Sequence, residues 1–138
     1  MFDQCLYFNT TALARRLERL WAKAFAPFDL TPSQAFALRA VLQKPGMLHS
    51  ELADTLQIAR ATATRSIDGL VNRGFLERRP TKTDGRESEI HPTPSAIDLK
   101  DALNAASGAV TKQMKAELGD DVFAAFVTQA RAIGGHLP

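Results

Sequence analysis

The apolar period changes once between Arg60 and His91, and that change restricts the folds open to the chain more than any other feature. From Arg60 to Arg73, the residues Ala63, Ile67, Leu70 and Val71 recur at helical spacing. Gly74 follows where a helix C-cap belongs. Phe75–Arg79 then alternates as a strand with one buried face does. Pro80-Thr81-Lys82-Thr83-Asp84-Gly85-Arg86 reads as a polar turn, with Ser88–His91 returning as the second strand of a hairpin. Pro92 places that strand at a sheet edge, or takes its last position.

Helical patterns flank this unit on both sides. Leu13, Leu17, Leu20 and Ala24, with Trp21, Phe25 and Phe28 alongside, predict a long first helix closed by Pro27. Thr31-Pro32-Ser33-Gln34 predicts a second start, with Thr31 as N-cap, Pro32 in the first turn and Gln34 as capping-box partner. That helix carries Phe36, Leu38, Val41 and Leu42 and stops before Pro45-Gly46. A short helix over Ser50–Leu56 follows, and Gln57-Ile58-Ala59 connects it tightly to Arg60. Beyond the hairpin, Thr93-Pro94 opens a long helix striped by Leu99, Leu103, Ala106, Val110, Met114 and Leu118. A last helix after Gly119-Asp120 carries Val122, Phe123, Phe126, Val127, Ala130 and Ile133. The expected fold is mainly α with a small β-hairpin wing, in a single domain over 1–138. A winged helix-turn-helix core covers 30–93, and the helices of 1–29 and 94–138 serve dimerisation. Three apolar stripes at the chain's ends exceed what one winged module covers, so a homodimer is expected. A self-contained helical bundle is the alternative.

Composition narrows the function classes. The 138 residues suit one domain, and 45% hydrophobic with 23% charged residues is an ordinary globular balance, not a disordered one. The one cysteine, Cys5, excludes an internal disulfide framework. No apolar run is long enough to span a bilayer, and no basic segment precedes an apolar one at the N-terminus. A soluble, cytoplasmic protein is expected. The net charge of +2 names no partner by itself. Its distribution is more telling: Arg60, Arg65, Arg73, Arg78, Arg79, Lys82 and Arg86 stand against only Asp68, Glu77 and Asp84 between residues 60 and 86. Charge concentrated on one module is the footprint of a nucleic-acid site.

A helix of this kind enters the major groove by its N-terminal half, and a basic hairpin beside it reaches phosphate or the neighbouring minor groove. The candidate DNA-binding residues are therefore Ser50, Arg60, Thr62, Thr64, Arg65, Arg73, Lys82, Asp84 and Arg86. At 100° per residue, Ala61, Thr62, Arg65, Gly69, Asn72 and Arg73 fall opposite the apolar stripe. Arg65 is the candidate for reading a guanine bidentately, against the alternative of a surface pair with Asp68. Thr62 and Thr64 suit phosphate or a thymine methyl. Arg73 and Lys82 suit phosphate, while Arg78 and Arg79 alternate on a strand and do not both face DNA. Arg86 suits the minor groove, with Asp84 bracing the hairpin. Ser50 brings a hydroxyl near phosphate at a helix start. Nothing suggests catalysis, a cofactor or a metal: His49, His91 and His136 lack ligand spacing, and no phosphate loop or nucleophile elbow is present.

At these residues the sequence resembles the MarR-type transcriptional regulators. The resemblance runs through Ser50-Glu51-Leu52-Ala53, Ala63-Thr64-Arg65-Ser66-Ile67-Asp68-Gly69-Leu70-Val71 and Arg73-Gly74-Phe75-Leu76-Glu77-Arg78 to the Asp-x-Arg wing tip, Asp84-Gly85-Arg86. Thr31-Pro32-Ser33-Gln34-Ala35 is similar to the start of that family's second helix. The resemblance implies a homodimer with interlocked terminal helices, reading a palindromic operator in double-stranded DNA. It also implies a repressor released by a small-molecule effector or by oxidation. A dimeric interaction module without operator binding is the alternative. Four positions depart from the family: Gly69 replaces an arginine, Ala59 a polar N-cap, and Pro92 and Ala96 a leucine and a glycine after the wing. Cys5 lies two residues from the position, here Tyr7, where one branch of the family senses hydroperoxides. The tyrosines of that branch correspond to Pro32 and Ala35.

Overall fold

The computed structural model describes residues 1–81 and 87–138. Helix α1 (Leu6–Phe25) passes into a single 3₁₀ turn over Ala26–Phe28, where Pro27 ends the regular ladder. Helix α2 (Pro32–Gln43) starts on the anticipated capping box. The Gln34 amide donates to Thr31 Oγ1 at 3.2 Å, and the Thr31 amide donates to Gln34 Oε1 at 3.1 Å. A two-residue strand β1 (Met47–Leu48) leads directly into α3 (His49–Leu56). Gln57, left-handed at φ 55°, makes the turn into α4 (Arg60–Asn72). Gly74, at φ +76°, closes α4 and releases the chain into β2 (Leu76–Pro80) and β3 (Ser88–Pro92). Helix α5 (Pro94–Leu118), N-capped by Thr93, and α6 (Asp120–His136) complete the chain.

The sheet is three-stranded and antiparallel in the order β1-β3-β2. The sequence reading contained a two-stranded hairpin; β1 adds to it, pairing Met47 with Ile90 and Leu48 with Glu89. That makes β3 the central strand, so of the two places open to Pro92 the sheet edge is excluded. Pro92 is instead the last residue of β3, opposite Leu76, where its missing N–H interrupts no further pairing.

One core ties α2, α3, α4, the sheet and the start of α5 together. Leu38, Leu52, Ile67, Leu70, Leu76, Ile90 and Leu103 are all buried within it. Phe25 anchors the end of α1 to the same core, meeting Phe36 edge-on at 6.0 Å. Farther along, Trp21 Nε1 of α1 donates to Ser107 Oγ of α5 at 3.1 Å, so the indole and the buried hydroxyl satisfy each other. The terminal helices are covered on one side only. No residue of α6 is buried, and Val122, Phe126, Val127 and Ile133 lie open, as do Leu6, Tyr7 and Phe8 of α1. Among the described residues no helix is long and apolar enough to cross a membrane.

Candidate nucleic-acid interface

Helix α4 packs on both α2 and α3, and this double contact fixes its orientation. Ala63, Ile67 and Leu70 go into the core. Ala61, Arg65, Asp68 and Asn72, spaced by four, three and four, form the outward stripe. Gly69 and Thr62, both expected on that outward face, sit elsewhere. Gly69 turns toward α2, where an added Cβ would lie 3.2 Å from Gln34 Nε2. Thr62 is half-buried and lines a cleft shared with α1 and α2. A helical wheel drawn from the apolar stripe of α4 alone omits α2, which approaches Gly69 and shares the cleft with Thr62. Thr64 is half-buried as well.

Arg65 is exposed, and its Nη2 donates to Thr62 Oγ1 at 3.3 Å. The alternative pairing with Asp68 is not made, because Asp68 binds the Arg78 guanidinium from β2 instead. Arg60, the first residue of α4, pairs with Glu87 at 2.6 Å, so the start of this helix is held by the residue that opens the return to β3. Ala59 supplies no side-chain cap there, as its type dictates.

Arg73 points away from this surface. Its guanidinium donates to the carbonyls of Asp29 and Phe28 and stacks on Phe75 at 5.2 Å, bracing the turn that follows α1. It acts as a strut within the protein, and the sequence-based placement on the outward face of α4 is corrected accordingly. Ser50 is half-buried in the first turn of α3. Beside it, Glu51 reaches back to the Leu48 amide at 3.4 Å and pairs with Lys44 at 2.6 Å. Lys82, Asp84 and Arg86 lie outside the described residues.

The structure thus brings Arg60, Thr62 and Arg65 to one end of α4 and adds acidic partners that the sequence pattern did not reveal. Glu87 and Asp68 each neutralise an arginine, and Arg79 pairs with Glu77 on its own strand. His49 completes the cluster: its Nε2 lies 3.3 Å from Arg78 Nε, which requires a lone pair on that nitrogen. Burial, and then the nearby Arg78 charge, hold the His49 pKa below its ordinary value. The relevant sequence signal was weak: Glu87 and Asp68 were visible as charges, but their partners are 27 and 10 residues away.

Residues 28–87, from the turn before α2 to the residue before β3, match the MarR family. The match covers the helix-turn-helix part of the chain and shows what that part is similar to. A relative from Bacillus subtilis (strain 168), described as the uncharacterized HTH-type transcriptional regulator YybA, is 30% identical over 59% of this chain and 54% of its own length. The chain spans about half the length of the curated relatives it matches. Two solved structures share the fold of this chain. A mutant MarR from E. coli, complexed with operator DNA, has TM-score 0.85 and 20% identity, covering 100% of this chain and 99% of that one. The PcaV transcriptional regulator from Streptomyces coelicolor, in complex with its natural ligand, has TM-score 0.82 and 21% identity, covering 99% and 96%.

Proposed function

We propose that this chain is a MarR-type, sequence-specific DNA-binding transcriptional regulator, a ligand-responsive repressor that acts on a palindromic operator as a homodimer. In this reading α4 lies in the major groove and the wing lies on the minor groove or the backbone. One observation carries it. Among the arginines described between residues 60 and 81, Arg65 alone has no carboxylate partner, and it stands on the outward stripe of α4 near the N-terminal end. A guanidinium in that position reads guanine O6 and N7. Arg60 and Ser50 serve phosphate, Thr62 and Thr64 support the helix start, and Lys82, Asp84 and Arg86 are the wing contacts expected from the sequence alone. The open apolar faces of α1 and α6 support the homodimer, since a second copy gives them cover.

A cleft of 410 Å³ supports the ligand response. It is lined by Leu17 and Trp21 of α1, Phe36 of α2, and Leu56, Ile58 and Thr62 of the helix-turn-helix. Thr62 both lines this cleft and accepts a hydrogen bond from Arg65, so an occupant touches a residue that orients the reading side chain. The family resemblance and the DNA-bound and ligand-bound neighbours favour the same assignment.

Selection of bound sequences from random duplexes tests it. The expected product is an inverted repeat with half-sites about one helical turn, ~10 bp, apart. Enrichment of sequences without two-fold symmetry contradicts the dimeric geometry, and no enrichment at all leaves the interaction-module alternative.

A further inference from the structure

A small cavity of 230 Å³ beside the start of α4 gathers His49 of α3, Arg60 of α4, Arg78 of β2, Glu87 and Ser88. Arg60 pairs with Glu87 at 2.6 Å, while Arg78 is shared between Asp68 of α4 and His49. Four charged groups act on the His49 ring: Arg78 from β2, Asp68 and Arg60 from α4, and Glu87 from the approach to β3. The other charges on the elements around α3 are turned elsewhere. Arg39 of α2 is held by Asn104, Lys44 at its C-cap by Glu51, Arg79 of β2 by Glu77, and Glu89 of β3 by His91. Strand β1 carries no charge.

This arrangement holds only while His49 is neutral. Its Nε2 accepts from Arg78 Nε at 3.3 Å, and an imidazolium has no lone pair to offer. Burial, then the Arg78 charge, keep the ring neutral at pH ~7.5. A proton on Nε2 removes the Arg78 contact, sets two cations against each other and creates a need for a carboxylate. Asp68 is occupied by Arg78. Glu87 lines the same cavity, and among the described residues it pairs with Arg60 alone. Arg60 in turn is exposed, so another anion can reach it once Glu87 turns away.

We propose that the start of α4 is a proton-gated phosphate contact: protonation of His49 draws the Glu87 carboxylate off Arg60 and leaves that guanidinium to a DNA phosphate. The proposal rests on the reading that α4 binds DNA. Its sign follows from linkage. A phosphate on Arg60 releases Glu87 to His49, and a carboxylate beside the ring raises its pKa above that of the free chain. DNA binding therefore takes up a proton, and affinity rises as pH falls through the His49 range and levels off below it. The contact is to the backbone, so the effect is independent of base sequence.

The experiment is fluorescence anisotropy of the full chain on random-sequence duplex at fixed salt, at about pH 7.5 and about pH 5.5, with circular dichroism verifying the fold at both. Wild type is expected to bind about 5-fold tighter at the lower pH, the upper end for freeing an exposed pair, because the new His49 charge acts in the same direction. His49→Gln is expected to bring that ratio close to one, since nothing is left to protonate. Glu87→Gln is expected to do the same, since Arg60 is already free, and either variant keeps the test decisive if the other fails to fold. NMR of the free chain gives a readout without DNA: the Arg60 Nε–H resonance should titrate together with the His49 ring, and cease to in Glu87→Gln. A wild-type ratio of one, or a ratio that survives His49→Gln, overturns the proposal and leaves the DNA reading standing. A ratio that survives Glu87→Gln makes His49 itself the phosphate contact and overturns the exchange of Glu87, as does an Arg60 resonance indifferent to the His49 titration. Absence of binding at both pH values overturns the DNA reading and this proposal with it.

Discussion

Removing a salt bridge from the start of α4 is expected to tighten DNA binding. Arg60 pairs with Glu87 at 2.6 Å, with the arginine side chain 66% exposed and the glutamate 28% exposed. A pair this open to solvent contributes about 0.2–1 kcal/mol, so Glu87→Gln should change folding stability by no more than that. On DNA the same pair is a competitor: a phosphate reaching Arg60 must displace the carboxylate. Freeing the arginine recovers the cost of breaking the pair, which corresponds to about 1.4- to 5-fold tighter binding. Loss of repulsion between Glu87 and the backbone acts in the same direction. Because phosphate carries no sequence information, the gain should be similar on operator and on random duplex. Fluorescence anisotropy at several salt concentrations measures it, with Arg60→Ala as the second corner of a cycle. In the Arg60→Ala background Glu87→Gln should gain less. Unchanged or weaker binding of Glu87→Gln on both duplexes would refute the reasoning, and an equal gain without Arg60 would show that the pair is not its source.

Three further outcomes follow from the structure. Ser107→Ala should lower stability by about 1–3 kcal/mol in denaturant melts, since it leaves Trp21 Nε1 without its partner; a melt identical to wild type contradicts that. The lowered His49 pKa means the unfolded chain binds the proton more readily, so stability is present above pH ~6.5 and declines as pH falls below it. His49→Gln should remove this part of the pH dependence, and an unaltered profile counts against it. Val127→Lys, on the uncovered face of α6, should shift light scattering from dimer to monomer without changing the helical circular dichroism; a persistent dimer would place the interface elsewhere.

The legible parts of the fold were those set by local chemistry. Thr31, Pro32 and Gln34 specify a helix start within four residues, and Gly74 specifies a helix end where φ turns strongly positive directly after α4. The apolar stripes of α1, α5 and α6 follow from spacing alone. Strand β1 was not legible, because two residues have no period and Met47-Leu48 becomes a strand only by pairing with Ile90 and Glu89. At the interface, Arg65 was identifiable from the helical face. The roles of Arg60 and Arg73 were not, since their partners Glu87 and Asp29 are 27 and 44 residues distant. The rotation of α4 that hides Thr62 and Gly69 depends on α2, which no pattern within α4 encodes.

The most direct test of the central claim, that the outward stripe of α4 reads bases, is the specificity ratio of Arg65→Ala. It is measured as the affinity for the selected operator over that for random duplex, at one fixed salt concentration. Among the described residues Arg65 has no carboxylate partner and no side-chain bond besides that to Thr62, so the substitution disturbs little there. The account predicts a loss of about 1–3 kcal/mol on the operator, about 5- to 150-fold, with a much smaller loss on random DNA. Equal losses on the two duplexes would make Arg65 a phosphate contact, and no loss on either would remove α4 from the interface.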